Sequence, residues 1–387
     1  MLTYVIPTRD RPARLRETLN AIEALGDHAS CGGAEVVVVD NASDERLVLP
    51  RSLRSGVAVK EVLLPENLGA AARNHGASAA DPRSSWIVML DDDSFPRGLG
   101  FLPRLAATAP DVGAVSADIF LETRDGSVKR ESGGLPEVFV GCGVAIRREV
   151  IRTLGGYDPA FGYYVEEYDL AARMLLAGWR VVFEPAFRVT HAKVAGGRDM
   201  DVILRRLVRN NGWVAQRYAP EAARASELRE VCRRYRKIAR KERALAGYGA
   251  GLAELRETIG AQVRREMPLD VWDRFTGLAW ARRTLLRAYA RAPFSTAEVV
   301  DEGKNAWAVK RALQEMGVRL TGYGEDAEVR VIGTLSPGPM LDALEARTLA
   351  SYPGGPRLLA PWDGPLDGGT TDPAPVRAPG VVTGRAA

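Results

Sequence analysis

The chain has no apolar run approaching the roughly 18 residues needed to cross a bilayer, so no spanning helix is expected. Met1 leads directly into the strand-like stretch 2–6, without the basic and apolar regions of a secretory leader, and a cytoplasmic address is the simplest expectation. Cysteine is scarce: Cys31, Cys142 and Cys232 are an odd, widely spaced set that excludes a disulfide scaffold and the paired spacing of a zinc site. The turn after the first strand, Pro7-Thr8-Arg9-Asp10-Arg11-Pro12, holds no glycine, which argues against a dinucleotide-binding hydride-transfer enzyme and a nucleotidyltransferase. There is also no G-x-S-x-G elbow or Cys/His signature, so no covalent nucleophile is implied.

The 387 residues, 46% hydrophobic and 26% charged, have the balance of a folded chain and the length of two or three domains. Short β-branched runs alternate with helical periodicity: Tyr4-Val5-Ile6, then Leu15, Leu19 and Ile22, then Val36 to Val39. That rhythm predicts an α/β fold with a mostly parallel central sheet. Asp10 is expected to cap the first helix, with Pro12 in its first turn. Further strands are expected at 57–64, 86–90, 112–117, 138–146 and 180–183, with a helix over 167–177 ended by Gly178. After residue 200 long Arg-rich helices take over, and residues 201–292 hold 21 Lys+Arg against 10 Asp+Glu. A solvated helical face accounts for such a segment, and an anionic membrane surface is a second reading, while nucleic acid is not expected. Four regions result: 1–200, a helical extension at 201–292, a small α/β module at 293–360, and a Pro/Gly-rich irregular tail at 361–387. In the module, helices are expected over 305–316 and 339–347 and strands over 318–321 and 328–332.

Ligands in open α/β sheets sit beyond the carboxyl ends of the strands. At the end of the strand Trp86 to Leu90 stand Asp91, Asp92 and Asp93, three adjacent carboxylates whose repulsion a divalent cation would relieve. Hard oxygen donors suit Mg²⁺ or Mn²⁺ bridging substrate phosphates. Asp40-Asn41-Ala42-Ser43 follows the second strand, where a carboxylate and an amide read either a base edge or an ordinary turn. Glu166, Glu167 and Asp169 open a helix, whose dipole favours carboxylates there and would keep Glu167 ionised; Asp169 also pairs by spacing with Arg173. His191, one of three histidines, gains interest only beside the acidic cluster.

Taken in order and spacing, Val5 to Pro12, Val38 to Ser43, Glu66 to Asn74, the Asp triplet, Gly141 to Ala145, Gly155 to Asp158, Glu166 to Arg173 and Pro185 to His191 resemble the family-2 glycosyltransferases with a GT-A fold. The resemblance covers about half the chain and leaves the C-terminal 180 or so residues outside it. It implies an inverting transferase that moves a sugar from a nucleotide-sugar donor to a hydroxyl acceptor, whether a glycan, a lipid-linked or another acceptor. It further implies that Pro7, Thr8, Asp10, Asp40 and Asn74 hold the nucleotide, with Asn41, Asn67, Gly69, Asp92, Gly141 and Asp169 as further substrate contacts. Asp91 and Asp93 match the pair that meets ribose and metal, His191 a histidine that completes the metal site, and Glu167 the catalytic base. The family usually reads Glu-Asp where this chain has Glu166-Glu167, so Glu166 is the rival base and a degenerate, sugar-nucleotide-binding protein is the competing reading.

Overall fold

The computed structural model describes residues 1–122, 127–192, 199–322, 325–350 and 355–361. The expected tail therefore lies, from residue 362, outside the described residues. A large sheet contains β1 (Leu2–Thr8), β2 (Ala34–Asp40), β3 (Ala58–Leu63), β4 (Trp86–Met89), β5 (Ser94–Pro96), β6 (Val112–Glu122), β7 (Val128–Glu131), β8 (Val144–Arg147) and β9 (Arg180–His191). Its order is β3-β2-β1-β4-β8-β6-β9-β5, with β7 paired to β6. From β3 to β4 the strands are parallel; β8 then runs antiparallel to both β4 and β6. The parallel part reads as unbroken apolar runs because both faces are covered, and Val36 to Val39 are all fully buried.

Helix α1 (Pro12–Ala24) turns Leu15, Thr18, Leu19 and Ile22 onto one face, and these bury against the sheet. Asp10 does not cap it. The residue has φ +53°, its carboxylate accepts the Asp44 amide at 2.7 Å, and Arg11 occupies the cap position without a side-chain bond. On the opposite face lie α2 (Ala72–Ala79), α4 (Arg148–Leu154) and α5 (Glu166–Leu176), with the short α3 (Leu102–Ala106) back beside α1. Of the expected strand 138–146 only β8 forms; residues 138–143 are a loop. Gly143 sits so close to Ile119 and Ala117 that a Cβ would collide there, and its carbonyl accepts the Ala117 amide at 2.9 Å just before β8 begins. β9 runs through Pro185 because its pairing with β6 skips from Glu184 to Arg188, a bulge that spares the proline a ladder bond.

Helices α6 (Met200–Tyr218), α7 (Glu221–Lys241), α8 (Leu245–Thr258), α9 (Leu269–Thr276) and α10 (Leu278–Arg291) follow, with Pro220 separating α6 from α7. Much of their basic charge joins elements: Arg205 and Arg209 bind Glu254, Arg217 binds Asp158 and Asp169, and Arg274 binds Glu137. Among the described residues no helix is long and apolar enough to cross a membrane. A second sheet, all parallel in the order β11-β10-β12-β13, contains β10 (Thr296–Val300), β11 (Arg319–Thr321), β12 (Val329–Ile332) and β13 (Arg357–Leu359), flanked by α11 (Ala306–Glu315) and α12 (Pro337–Leu349). Leu278, Ala281 and Leu285 of α10 share the core of this module. The module rests on the first sheet: Arg130, at β7, donates to Asp342 of α12 at 2.8 Å, and Ser336 bonds Ser132 and the Gly134 amide.

Candidate active site

A cleft of about 1280 Å³ opens at the carboxyl ends of β1, β2 and β4. One wall comes from loops whose conformations are fixed locally. Asn41 accepts the Leu68 amide at 2.8 Å and donates to the Gly69 carbonyl at 3.2 Å, while Asn67 accepts the Gly69 amide. Gly69 has φ +60°, and a Cβ there would strike the Gly162 carbonyl, so only glycine lets the two cleft loops meet. Pro7, Thr8, Asn41, Asn67 and Gly69 all line the cavity.

The three aspartates project from the end of β4 and are already compensated by cations and hydrogen bonds. Asp91 pairs with the buried Arg73 guanidinium. Asp92 accepts from Thr8 at 2.8 Å and faces Arg11 at 2.5 Å; burial nevertheless pushes its carboxyl up to about 6. Asp93 is also buried, but its bonds to His191 and Arg11 outweigh that and hold it below the usual carboxylate range. The His191 imidazole works against burial too: Asp93, Cys142 and Glu131 raise it above its ordinary value, with Glu131 2.7 Å from Nδ1. Ligand atoms of Asp91, Cys142 and His191 lie within 4.8 Å of one another. The Asp91 carboxylate and His191 imidazole suit a divalent cation, Asp93 Oδ1 lies 3.4 Å from His191 Nε2, and Arg73 and Arg11 supply balancing charge to Asp91 and Asp93. Cys142 brings a sulfur donor to the same place.

Glu166 and Glu167 reach the cleft through backbone strain. Tyr164 and Val165, just before α5, both have positive φ, at +72° and +73°, a conformation that costs roughly 1–3 kcal/mol per residue and is rare for a β-branched side chain. Asn210 of α6 stabilises this turn: its buried amide donates to the carbonyls of Phe161, Tyr163 and Tyr164 at 3.1, 3.2 and 2.7 Å. Glu166 is 3% exposed, and its Oε2 has no hydrogen-bond partner. Glu167 is more open and accepts the Gly141 amide at 3.2 Å. Burial raises both carboxyl groups, Glu166 furthest, with Glu167 adding to its shift. The helix dipole therefore loses to desolvation here, contrary to the sequence expectation of a lowered value.

Four expected substrate contacts stand outside the cleft lining. Asp10 and Asp40 bind backbone amides of Asp44 and Ser43. Asn74 spends both ends of its amide on the Tyr157 backbone, at 2.7 and 2.8 Å. Asp169 is fully buried, held by Arg173 and Arg217 at 2.8 Å and Tyr218 at 2.6 Å, so it anchors α5 to α6. The sequence reading missed Arg11, Arg73, Glu131, Asn210 and Lys304. A clue to Arg73 was its place among alanines on a helix packed against the sheet; Asn210 and Lys304 carry no local signal.

Residues 3–154 match the family described as Glycosyl transferase family 2. A pre-mycofactocin glycosyltransferase of Mycobacterium tuberculosis is 27% identical over 210 residues, 49% of this chain and 42% of the relative, so the chain spans less than half of that protein's length. An uncharacterized glycosyltransferase of Haemophilus influenzae is 26% identical, over 45% of this chain and 62% of its own. Among solved structures, GalNAc-T7 with UDP, GalNAc and Mn²⁺ is 17% identical with a TM-score of 0.47, over 67% of this chain and 57% of that one. TarS of S. aureus with UDP-GlcNAc is 15% identical with a TM-score of 0.47, over 85% and 94%. The matched stretch holds strands β1 to β8 and the acidic triplet, so the N-terminal part of this chain is similar to the family-2 glycosyltransferases.

Proposed function

We propose that the protein is an inverting glycosyltransferase that moves a sugar from a nucleotide-sugar donor to an acceptor hydroxyl with Mg²⁺ or Mn²⁺. The observation that carries this reading is the meeting, in one cleft, of groups suited to a cation (Asp91 and His191, with Asp93 3.4 Å from His191) with two adjacent carboxylates, Glu166, buried with an unsatisfied Oε2, and the more open Glu167. Thr8, Asn41 and Asn67, whose side chains brace the loops on one side of the cleft, frame a place for a nucleoside, and we call this side the donor wall. Asp91, Asp93 and His191 would hold the cation, whose positive charge would offset the negative charge on a departing nucleoside diphosphate. Glu167, the more open of the two carboxylates, takes the acceptor hydroxyl proton, and its raised pKa makes it a stronger base than an ordinary glutamate once it is ionised. Glu167 in turn adds to the raised value of its buried neighbour Glu166. Attack from the face opposite the leaving diphosphate inverts the anomeric centre without a covalent intermediate.

The exposed cations Arg236, Lys237, Arg240 and Lys241 of α7 fit a peripheral seat on an anionic membrane, which sedimentation with anionic liposomes at physiological salt would test. For the transferase reading, a panel of UDP-, GDP- and dTDP-sugars with Mn²⁺ should contain at least one that raises the melting temperature and is hydrolysed slowly. A protein stabilised by a donor that it never turns over is instead a degenerate binding protein.

A further inference from the structure

Opposite the donor wall the cleft is basic, and its cations stand without anionic partners. Arg206 of α6, Arg234 of α7 and Lys304, in the loop between β10 and α11, line the cavity, and among the described residues none of the three has an ion pair or hydrogen bond. Their neighbours on the same helices differ: Arg205 and Arg209 share Glu254, and Arg233 pairs with Glu230. The Lys304 ammonium lies 3.7 Å from the centre of the Tyr168 ring, immediately after Glu167 in the chain. Burial, and then Arg234, drive the lysine well below its usual pKa. Glu227 is the acid that faces it, but that carboxyl lies beyond ion-pairing distance and is itself raised by burial. A half-buried cation in such a place is costly unless a ligand supplies the counter-charge.

The loop that presents Lys304 is held at both ends. Asp301 and Asn305 adopt positive φ, at +51° and +59°; Asp301 is gripped by Arg347, and Asn305 donates to the Thr276 carbonyl at 3.0 Å. The module in turn is fastened to the cleft wall through Ser336 and Asp342, as described above. The strain and the fastenings thus serve to deliver one lysine beside the catalytic carboxylates.

We propose that Lys304 and Arg234, with Arg206 beside them, form an acceptor subsite for a phosphate or diphosphate ester, so that the C-terminal module selects acceptors carrying that charge near the hydroxyl that receives the sugar. The inference rests on the transferase reading. Several converging cations, two of them guanidinium forks, match a multiply charged phosphate better than a single carboxylate. The donor diphosphate has its own place across the cleft, where the aspartates would repel a bare anion.

Calorimetric titration of the whole protein in EDTA tests this, with octyl phosphate standing for a lipid-linked acceptor, glucose 1-phosphate for a soluble one, and octyl glucoside and glucose as neutral controls. At least one phosphate ester should bind where its neutral counterpart does not, with proton uptake as the lysine recharges; the tighter of the two identifies the source. Lys304→Met and Arg234→Met should each weaken binding by about tenfold or more, the worth of a charge-assisted bond, and Lys304→Arg should retain it, with thermal melts confirming that each variant is folded. Absence of phosphate-ester binding to the wild type, unchanged affinity in Lys304→Met, or affinity lost in Asp93→Asn but kept in Lys304→Met would overturn the subsite. Donor stabilisation of the wild type reads the transferase assignment separately: phosphate-ester binding without it sinks that assignment, and donor stabilisation without phosphate-ester binding sinks only the subsite.

Discussion

On the donor wall the working side chains stand at the ends of neighbouring strands, and the acids among them already face Arg11, Arg73, Thr8 or His191. The acceptor side draws instead on elements far apart in sequence: the strained turn before α5, the helices α6 and α7, and a loop of the second sheet, which brings cations without partners. On the proposed reading, the difference separates the two substrates: a nucleotide and its cation would meet a pre-balanced acidic cluster, whereas the acceptor would meet unmet demand, since Glu166 Oε2 lacks a donor and Lys304 lacks an anion.

The comparison breaks most sharply at the proposed base, Glu167. Glu167→Gln should lower transfer by about 10²–10⁴ while leaving donor affinity in place, because basicity is lost and size is kept. In the wild type the acid limb of the pH–rate profile should inflect above the ordinary carboxylate range, since burial raises Glu167, and in the variant that limb should vanish. If Glu166→Gln abolishes transfer and Glu167→Gln does not, the base is Glu166.

Next in size is the anchor beneath the acceptor side. Asp169→Asn leaves Arg173 and Arg217 without their shared buried carboxylate and should cost roughly 3–5 kcal/mol in a denaturant titration, with donor contacts spared. A loss under 1 kcal/mol would mean that α5 and α6 are held by packing alone.

The smallest effect concerns stability and pH. Glu166 has a raised value in the folded state, so the native protein binds its proton more tightly than the unfolded chain and loses stability as pH climbs from the ordinary carboxylate range through the raised one. Glu166→Gln removes that penalty. Its melting temperature should exceed the wild type's at neutral pH and converge with it in acid; a variant less stable at neutral pH contradicts the assignment.

These regions also differ in how much the sequence revealed. The apolar runs of β1, β2 and β4 and the acids that follow them were legible because parallel strands bury both faces and end at a ligand crevice. The loop at 138–143 was not, since its β-like composition carries no local sign that pairing with β4 and β6 starts only at Val144. Asn74 and Asp169 sit in the right motifs, yet their polar atoms are consumed by the Tyr157 backbone and by Arg173, Arg217 and Tyr218. The pKa direction of Glu167 reverses for a related reason, because burial is a property of the packed turn rather than of a helix start. Lys304 lies more than a hundred residues from Glu167, and only tertiary packing brings it there.

The most direct test of the account is donor binding and hydrolysis by the wild type and Asp93→Asn, each with Mn²⁺ and with EDTA. The account expects a nucleotide sugar to bind and turn over only in the wild type with Mn²⁺, with Asp93→Asn folded but nearly inactive. Equal turnover in EDTA or in Asp93→Asn, or a wild type that engages no nucleotide sugar at all, would contradict it.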